Sequence, residues 1–317
     1  TQVTLNLLVK NNADTIEKLL DSLIGLNFDL VVADIGSSDN TFVKLKPYNP
    51  KIIKFSSKDD RSSIRNTMIE QSKNEWILYI EPFESLISGI DQIKKAIAGP
   101  VDAYSIGVVQ GDIITKQVRL WHKSLNLMFS NPVFETVETK SKNLNAYIFA
   151  LNQKSDDSIR SILQDWQQKN PLKPDPFYYL ACYELGQNNW ESFINFAEMF
   201  LHQQKRQTMS FYMTHYYLAL VYCYVKKNYN KSLEHIFYCV IKNPTMAEFW
   251  CLIGDCFYKM NLYEKAWNFY QNAKILGSRR LASCDWPMEM SKYNDYPEKM
   301  MESCKKIMDE TKIYFSV

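Results

Sequence analysis

The sequence predicts two domains of different class: an α/β N-terminal half around a mostly parallel sheet, and an all-α C-terminal half built from repeated helix pairs. Three observations carry that division. In the first half, short apolar runs end in acidic, glycine and asparagine residues, and helical stretches separate successive runs. From about residue 175 onward the periodicity is helical and the pattern returns after roughly 34 residues. All seven cysteines lie at or after Cys182, so the halves differ in make-up as well as in pattern. The break is expected at 150/151, giving domains of residues 1–150 and 151–317.

Composition narrows the function. A chain of 317 residues suits about two domains. With 37 Lys+Arg against 35 Asp+Glu there is no electrostatic case for nucleic acid or an anionic membrane surface. No apolar run approaches the roughly 18 residues of a membrane span. The opening TQVTLNLLVK starts as a strand, without a charged n-region or cleavage site, so the expected location is cytoplasmic. The cysteine count is odd and no pair has C-x-x-C spacing, which favours reduced core thiols over zinc or disulfides.

In the first half, residues 3–9 (VTLNLLV) read as a strand, followed by the turn residues Asn11, Asn12 and Asp14. Residues 15–26 place Ile16, Leu19, Leu20, Leu23 and Ile24 on one helical face. Residues 30–33 (LVVA) form a continuous apolar strand that ends at Asp34. Gly36, Ser37 and Ser38 turn, and Asp39 can cap the next element. A third strand is expected at 52–55. Asp60 then caps a helix running to about Ser72, with Arg65 one turn inside it. Residues 75–80 (EWILYI) read as a buried central strand leading to Glu81 and Glu84, and residues 103–109 and 118–121 as further strands. Acidic residues at the carboxyl ends of parallel strands converge on the crevice where open α/β sheets bind ligands. A carboxylate there suits a ribose hydroxyl or a base N–H.

The order VKN (9–11), DIGSSDNT (34–41), DRSSIRN (60–66), EWILYIEPFE (75–84) and RLWHK (119–123) resembles family 2 glycosyltransferases of the GT-A fold, a Rossmann-like, mostly parallel sheet. The resemblance covers roughly residues 2–140. It implies that Asn11, Asp34 and Asp60 hold the nucleotide of an activated sugar, that Arg65 supports them, and that Glu81 stands in the same nucleotide-sugar site. The family usually carries D-x-D after the central strand, whose carboxylate bridges Mg²⁺ or Mn²⁺ to the diphosphate. This chain has Glu81-Pro82-Phe83, and Val133-Phe134-Glu135 where relatives carry V-H-E. Phe83 and Phe134 thus replace both expected metal ligands, leaving Glu81 and Glu84 as weak candidates.

Three readings stay open: a metal-independent transferase in which Arg65, Arg119 or Lys123 offsets the diphosphate charge; an atypical metal site on Glu81 and Glu84; and a degenerate domain in a binding or scaffold protein. Inverting transfer needs a carboxylate base, for which Glu135 is the candidate, against the plainer reading of a surface glutamate. His122 reads as an exposed residue after its strand.

In the second half, residues 158–168 read as a helix and Pro171, Pro174 and Pro176 punctuate the boundary. Trp250, Ile253, Gly254, Phe257, Ala266, Tyr270 and Ala273 fall as in a tetratricopeptide repeat. Shifting back gives Tyr216, Ala219, Leu220, Cys223, Ser232, Ile236 and Cys239, and a further repeat starts near Asp175. An insertion around residues 202–205 separates the first repeat from the second. This resembles a three-repeat tetratricopeptide array with a capping helix at 297–314. A sugar-transferase domain joined to such repeats resembles a subgroup of the family that includes the peptide S-glycosyltransferase acting on sublancin, in which the repeats serve dimerisation. The resemblance therefore implies a nucleotide-diphosphate sugar donor, a protein, peptide or glycan acceptor, and a homodimer through the repeats.

Overall fold

The computed structural model describes residues 2–151, 157–280 and 286–315. Most of the polar run at 152–157, and Cys284, lie outside the described residues. The chain forms two compact units, residues 1–166 and 167–317.

Unit 1 opens with β1 (Val3–Val9), α1 (Ile16–Ser22), β2 (Phe28–Asp34), α2 (Thr41–Leu45), β3 (Lys51–Lys54), α3 (Arg61–Gln71) and β4 (Trp76–Tyr79). It continues with β5 (Glu84–Ser88), α4 (Ile90–Ile97), β6 (Ala103–Gln110), β7 (Ile113–His122) and β8 (Lys142–Ala150). The sheet order is β3-β2-β1-β4-β7-β6-β8-β5. β3, β2, β1 and β4 are parallel, as short strand-helix-strand connections require. Every residue of β1 is buried, Thr4 and Asn6 included, as in a central strand covered on both faces. Its two polar side chains are partnered: Ser72 Oγ donates to Asn6 Oδ1 at 3.1 Å and Asn74 Nδ2 to Thr4 Oγ1 at 3.2 Å.

The remaining half is more mixed than expected. β7 runs antiparallel to both β4 and β6, β8 is parallel to β6, and β5 is antiparallel to β8. The sequence reading did not anticipate β5, α4 or β8. Between β5 and α4, Gly89 sits at φ +94°, and a Cβ there would fall 2.4 Å from Ala146 Cα, so only glycine fits. α1 ends earlier than the periodicity predicts because the chain turns at Gly25 (φ +95°) while Leu23 and Leu26 stay buried. α5 (Asp157–Lys169) starts within unit 1, where Leu163 is fully buried and Arg61 Nη2 donates to Ser158 Oγ at 3.4 Å; the unit division therefore falls after the expected 150/151.

Unit 2 pairs α6 (Asp175–Gly186) with α7 (Trp190–Gln203), α8 (Met209–Tyr224) with α9 (Tyr229–Lys242), and α10 (Ala247–Lys259) with α11 (Tyr263–Gly277). The turn inside each pair has one geometry: Asn188, Lys227 and Asn261 are all left-handed, at φ +60°, +54° and +60°. The residue after each donates its N–H to a carbonyl one helical turn or more back, namely Glu184, Tyr222 and Phe257. Small residues set the helix spacing: Ser232 Oγ reaches Ala219 O at 2.7 Å, and a Cβ on Gly254 would lie 2.6 Å from the Tyr270 ring. The array is of tetratricopeptide type. After α12 (Met290–Tyr293), α13 (Tyr296–Phe315) covers the last pair with Tyr296, Met300 and Cys304 against Tyr270 and Ala266, as the predicted capping helix would.

Candidate active site

Strand direction sets the site. β2, β1 and β4 end at one rim, with Val9 beside Asp34 and Asn6 beside Tyr79. The chain leaves β1 toward β2 on one side and β4 on the other, so this rim is the switch point of the sheet. The loops after β1 and β2 form one bonded unit. Asn11 adopts φ +55°, which asparagine tolerates, and its Oδ1 accepts from the Ser38 N–H at 2.7 Å. Asp34 Oδ1 accepts from the N–H groups of Ser37 at 2.8 Å and Gly36 at 3.2 Å. Asp39 accepts from the Ala13 and Thr41 N–H groups, both at 2.9 Å, so it ties the two loops together instead of capping α2.

The stretch D-R-S-S-I-R-N is explained residue by residue. Asp60 is the N-cap of α3 and accepts from the Ser63 N–H at 2.9 Å and Ser62 Oγ at 2.6 Å. The Arg61 N–H donates to Pro132 O at 2.9 Å. Ile64 enters the core. Asn66 clamps Phe129 in both directions, at 2.8 and 3.0 Å. These bonds hold the 129–135 segment against α3. Arg65, 4% exposed, then donates through Nη2 to Glu81 Oε1 at 2.6 Å and through Nε to Glu135 Oε1 at 2.5 Å. Glu135 is therefore no surface glutamate; its side chain is 7% exposed. Phe134 beside it is held at φ +52°, a strained position for a bulky residue.

A second pair lies alongside. Arg119 Nη2 donates to Glu84 Oε1 at 2.8 Å, and Glu84 Oε2 accepts from the Glu81 N–H at 2.7 Å. Tyr79 stands between the arginines, which lie 4.4 and 4.5 Å from its ring centroid, and its hydroxyl donates to Glu81. Burial works against the Arg65 charge, but Glu81, Tyr79 and Glu135 outweigh it and hold the guanidinium above its ordinary range. Burial pushes the Glu84 carboxyl up, opposed by Arg119. Among the described residues, the buried donors Arg65 Nη1, Arg119 Nε and Nη1, and Trp121 Nε1 have no hydrogen-bond acceptor.

The structure thus joins Arg65, Glu81 and Glu135 directly, and Asn11 to the loop that Asp34 shapes. Among the described residues no hydrogen bond links Asp34 to Asp60. Two expectations are corrected by the antiparallel course of β7. Leu120 pairs with Leu78 and His122 with Trp76, so Arg119 reaches the rim while His122 and Lys123 lie at the opposite end of β4. Lys123 Nζ donates to Ser72 O at 2.9 Å and has no part in the site. His122 is mostly covered, with Nε2 at 2.9 Å from Glu75 and its ring edge-on to Trp76. Sequence reasoning missed Tyr79 as a site residue; it shows there only as one more apolar position of a central strand.

Residues 7–81 match the family model described as glycosyl transferase family 2. The chain thus joins a segment that matches the family 2 glycosyltransferase model to tetratricopeptide-type repeats. A TPR repeat-containing protein of Synechococcus elongatus is 26% identical over 144 residues, which are 43% of this chain and 36% of that protein; the chain spans about a third of the relative's length. Solved structures similar to this one include MamA of Desulfovibrio magneticus (15% identity, TM-score 0.36, 48% of this chain and 80% of the other). Another is S. aureus TarS residues 1–349 (11% identity, TM-score 0.36, 96% and 92%).

A divalent cation, which the likeness to family 2 implies, does not fit the residues found here. Phe83 packs against the main core. Glu81 Oε1 is taken by Arg65 and Tyr79, and both oxygens of Glu84 are engaged, by Arg119 and by the Glu81 N–H. Guanidinium groups stand against the carboxylates that a metal would need.

Proposed function

We propose that unit 1 transfers a sugar from a nucleotide-diphosphate donor to a protein, peptide or glycan acceptor without a bound metal. The observation that carries this is the buried Arg65–Tyr79–Arg119 stack directly under the carboxyl rim. Its free N–H groups call for acceptor oxygens, which a diphosphate has in plenty. Asn11, Asp34 and Asp60 hold the nucleoside, with base or ribose donors meeting the carboxylates. Glu135, steadied by Arg65 through one oxygen, deprotonates the acceptor with the other. The repeats of unit 2 serve a homodimer and the acceptor.

A thermal-shift panel of UDP-, GDP- and CDP-sugars, with and without Mn²⁺, tests this. One nucleotide should stabilise the protein equally in both conditions, and a tenfold tightening by Mn²⁺ would refute the metal-free site. Asp34→Ala and Asp60→Ala should each weaken nucleotide binding by about tenfold, the worth of one good polar contact. A second reading has its own support: Glu81 and Glu135 each give an oxygen to Arg65, as in a domain that keeps the fold and serves as a scaffold. Silence toward every nucleotide would select it.

A further inference from the structure

Unit 2 contains a cavity of about 160 Å³ that the sugar-transfer reading does not use. It opens where α8 begins and α9 ends. Tyr212, Cys239, Phe249 and Trp286 line it with mostly apolar surface, and Lys242 and Asn243 stand at its rim. Its size decides what enters. An apolar cavity of roughly 150 Å³ holds one benzene ring, whereas drug-sized ligands need about 300 Å³ or more. The walls suit a ring: Phe249 and Trp286 meet edge to face with centroids 4.9 Å apart, and Trp286 also packs edge-on against Tyr216.

Charge decides what the ring carries. Among the described residues that line the cavity, Lys242 alone is charged. It is exposed, its ammonium lies 5.7 Å from the centroid of the Tyr212 ring, and among the described residues no carboxylate pairs with it. Tyr212 has its hydroxyl turned to Gln207 Oε1 at 2.8 Å, so the polar end of that wall is already satisfied. Cys239 donates to Tyr212 O at 3.3 Å, and burial pushes its thiol up to about 12; it stays a neutral wall and not a nucleophile.

We propose that this cavity binds an aryl carboxylate: one six-membered ring seated between Tyr212, Phe249 and Trp286, with its carboxylate on Lys242. The ligand is either a free aromatic acid or an aromatic residue at the carboxyl end of a polypeptide. This goes beyond the sugar-transfer reading and does not depend on it.

Ligand-observed ¹⁹F NMR on the full chain tests the proposal. 4-Fluorophenylacetate should bind with a dissociation constant on the order of 1 mM, as befits so small a ligand. 4-Fluorophenylacetamide should bind about fivefold more weakly, the scale of one partly exposed ion pair. Lys242→Ala should erase that preference while keeping amide binding. Met209→Trp, at an exposed position on the mouth, should block both ligands without disturbing the core. Tighter binding of N-acetyl-4-fluorophenylalanine than of 4-fluorophenylacetate assigns the site to a chain end, and weaker binding assigns it to a free acid. Equal affinity for acid and amide in the unmodified protein overturns the proposal, as does binding that survives Met209→Trp or absence of binding by either ligand.

Discussion

Glu84 in unit 1 and Asp255 in unit 2 are both buried among aromatic rings and are satisfied differently; unit 2 also holds an ion pair of the first kind, Glu248 with Arg280 at 3.2 Å. In unit 1, Glu84 faces the guanidinium of Arg119, with Arg65, Glu81 and Glu135 close by. In unit 2, Asp255, 3% exposed, accepts hydrogen bonds from the hydroxyls of Tyr224, Tyr270 and Tyr296, the last two at 2.7 and 2.6 Å. Neutral donors can be lost one at a time. A guanidinium cannot, because its loss leaves a bare charge in a low-dielectric setting. The unit 2 arrangement ties α10 to three other helices, α8, α11 and α13, as a scaffold needs. The unit 1 arrangement commits two buried guanidinium groups to fixing a few groups at a rim.

That contrast can be broken or sharpened by four measurements. Arg119→Leu should destabilise unit 1 by about 3–5 kcal/mol in chemical denaturation, and Arg119→Leu with Glu84→Leu should recover most of it. A small effect in the single variant would erase the distinction. Gly254→Ala drives a methyl against the Tyr270 ring and should cost unit 2 roughly 1–3 kcal/mol, with the N-terminal unit untouched.

Acid should act with opposite sign on the histidine pair of α8 and α9 and on Glu84. Burial lowers the His215 and His235 pKa values to about 4, with Nδ1 atoms 2.9 Å apart. A depressed value means stability that is present above the ordinary histidine range near 6.5 and lost as pH falls toward 4. Glu84 is raised, so its contribution is complete below the ordinary glutamate range and lost as pH rises through the folded value. Hydrogen exchange at pH 7 and pH 4.5 should therefore show α8 and α9 loosening in acid while β4 and β5 do not. The smallest effect is expected from Tyr296→Phe, about 1 kcal/mol, since Asp255 keeps two donors.

Much of the fold was legible because the signals are local. The strand pattern of β1 and the Asp60 cap each lie within a few positions, and the small residues of unit 2 return at a fixed spacing along the chain. β5 and β8 were not legible: they pair with each other across more than 50 residues of sequence, and Gly89 is needed only because Ala146 arrives from that distance. Within the site, the rim positions of Asn11, Asp34, Arg65 and Glu81 came from strand ends. What Arg65 touches did not, since Glu135 lies 70 residues away. The misplacing of Lys123 has a single cause. Identifying β7 as a strand does not reveal its direction, and direction decides which end of it meets the rim.

Glu81 and Glu84 form a closed loop of their own: the Glu84 N–H donates to Glu81 O at 2.9 Å while the Glu81 N–H donates to the Glu84 side chain. The spacing between these acids is thus set by a turn around Pro82 and Phe83. A lineage that abandoned sugar chemistry would still lose this turn by changing Glu84, so selection for foldability alone would preserve the acid there. Its survival in any descendant is a vote for the turn and tells nothing about turnover.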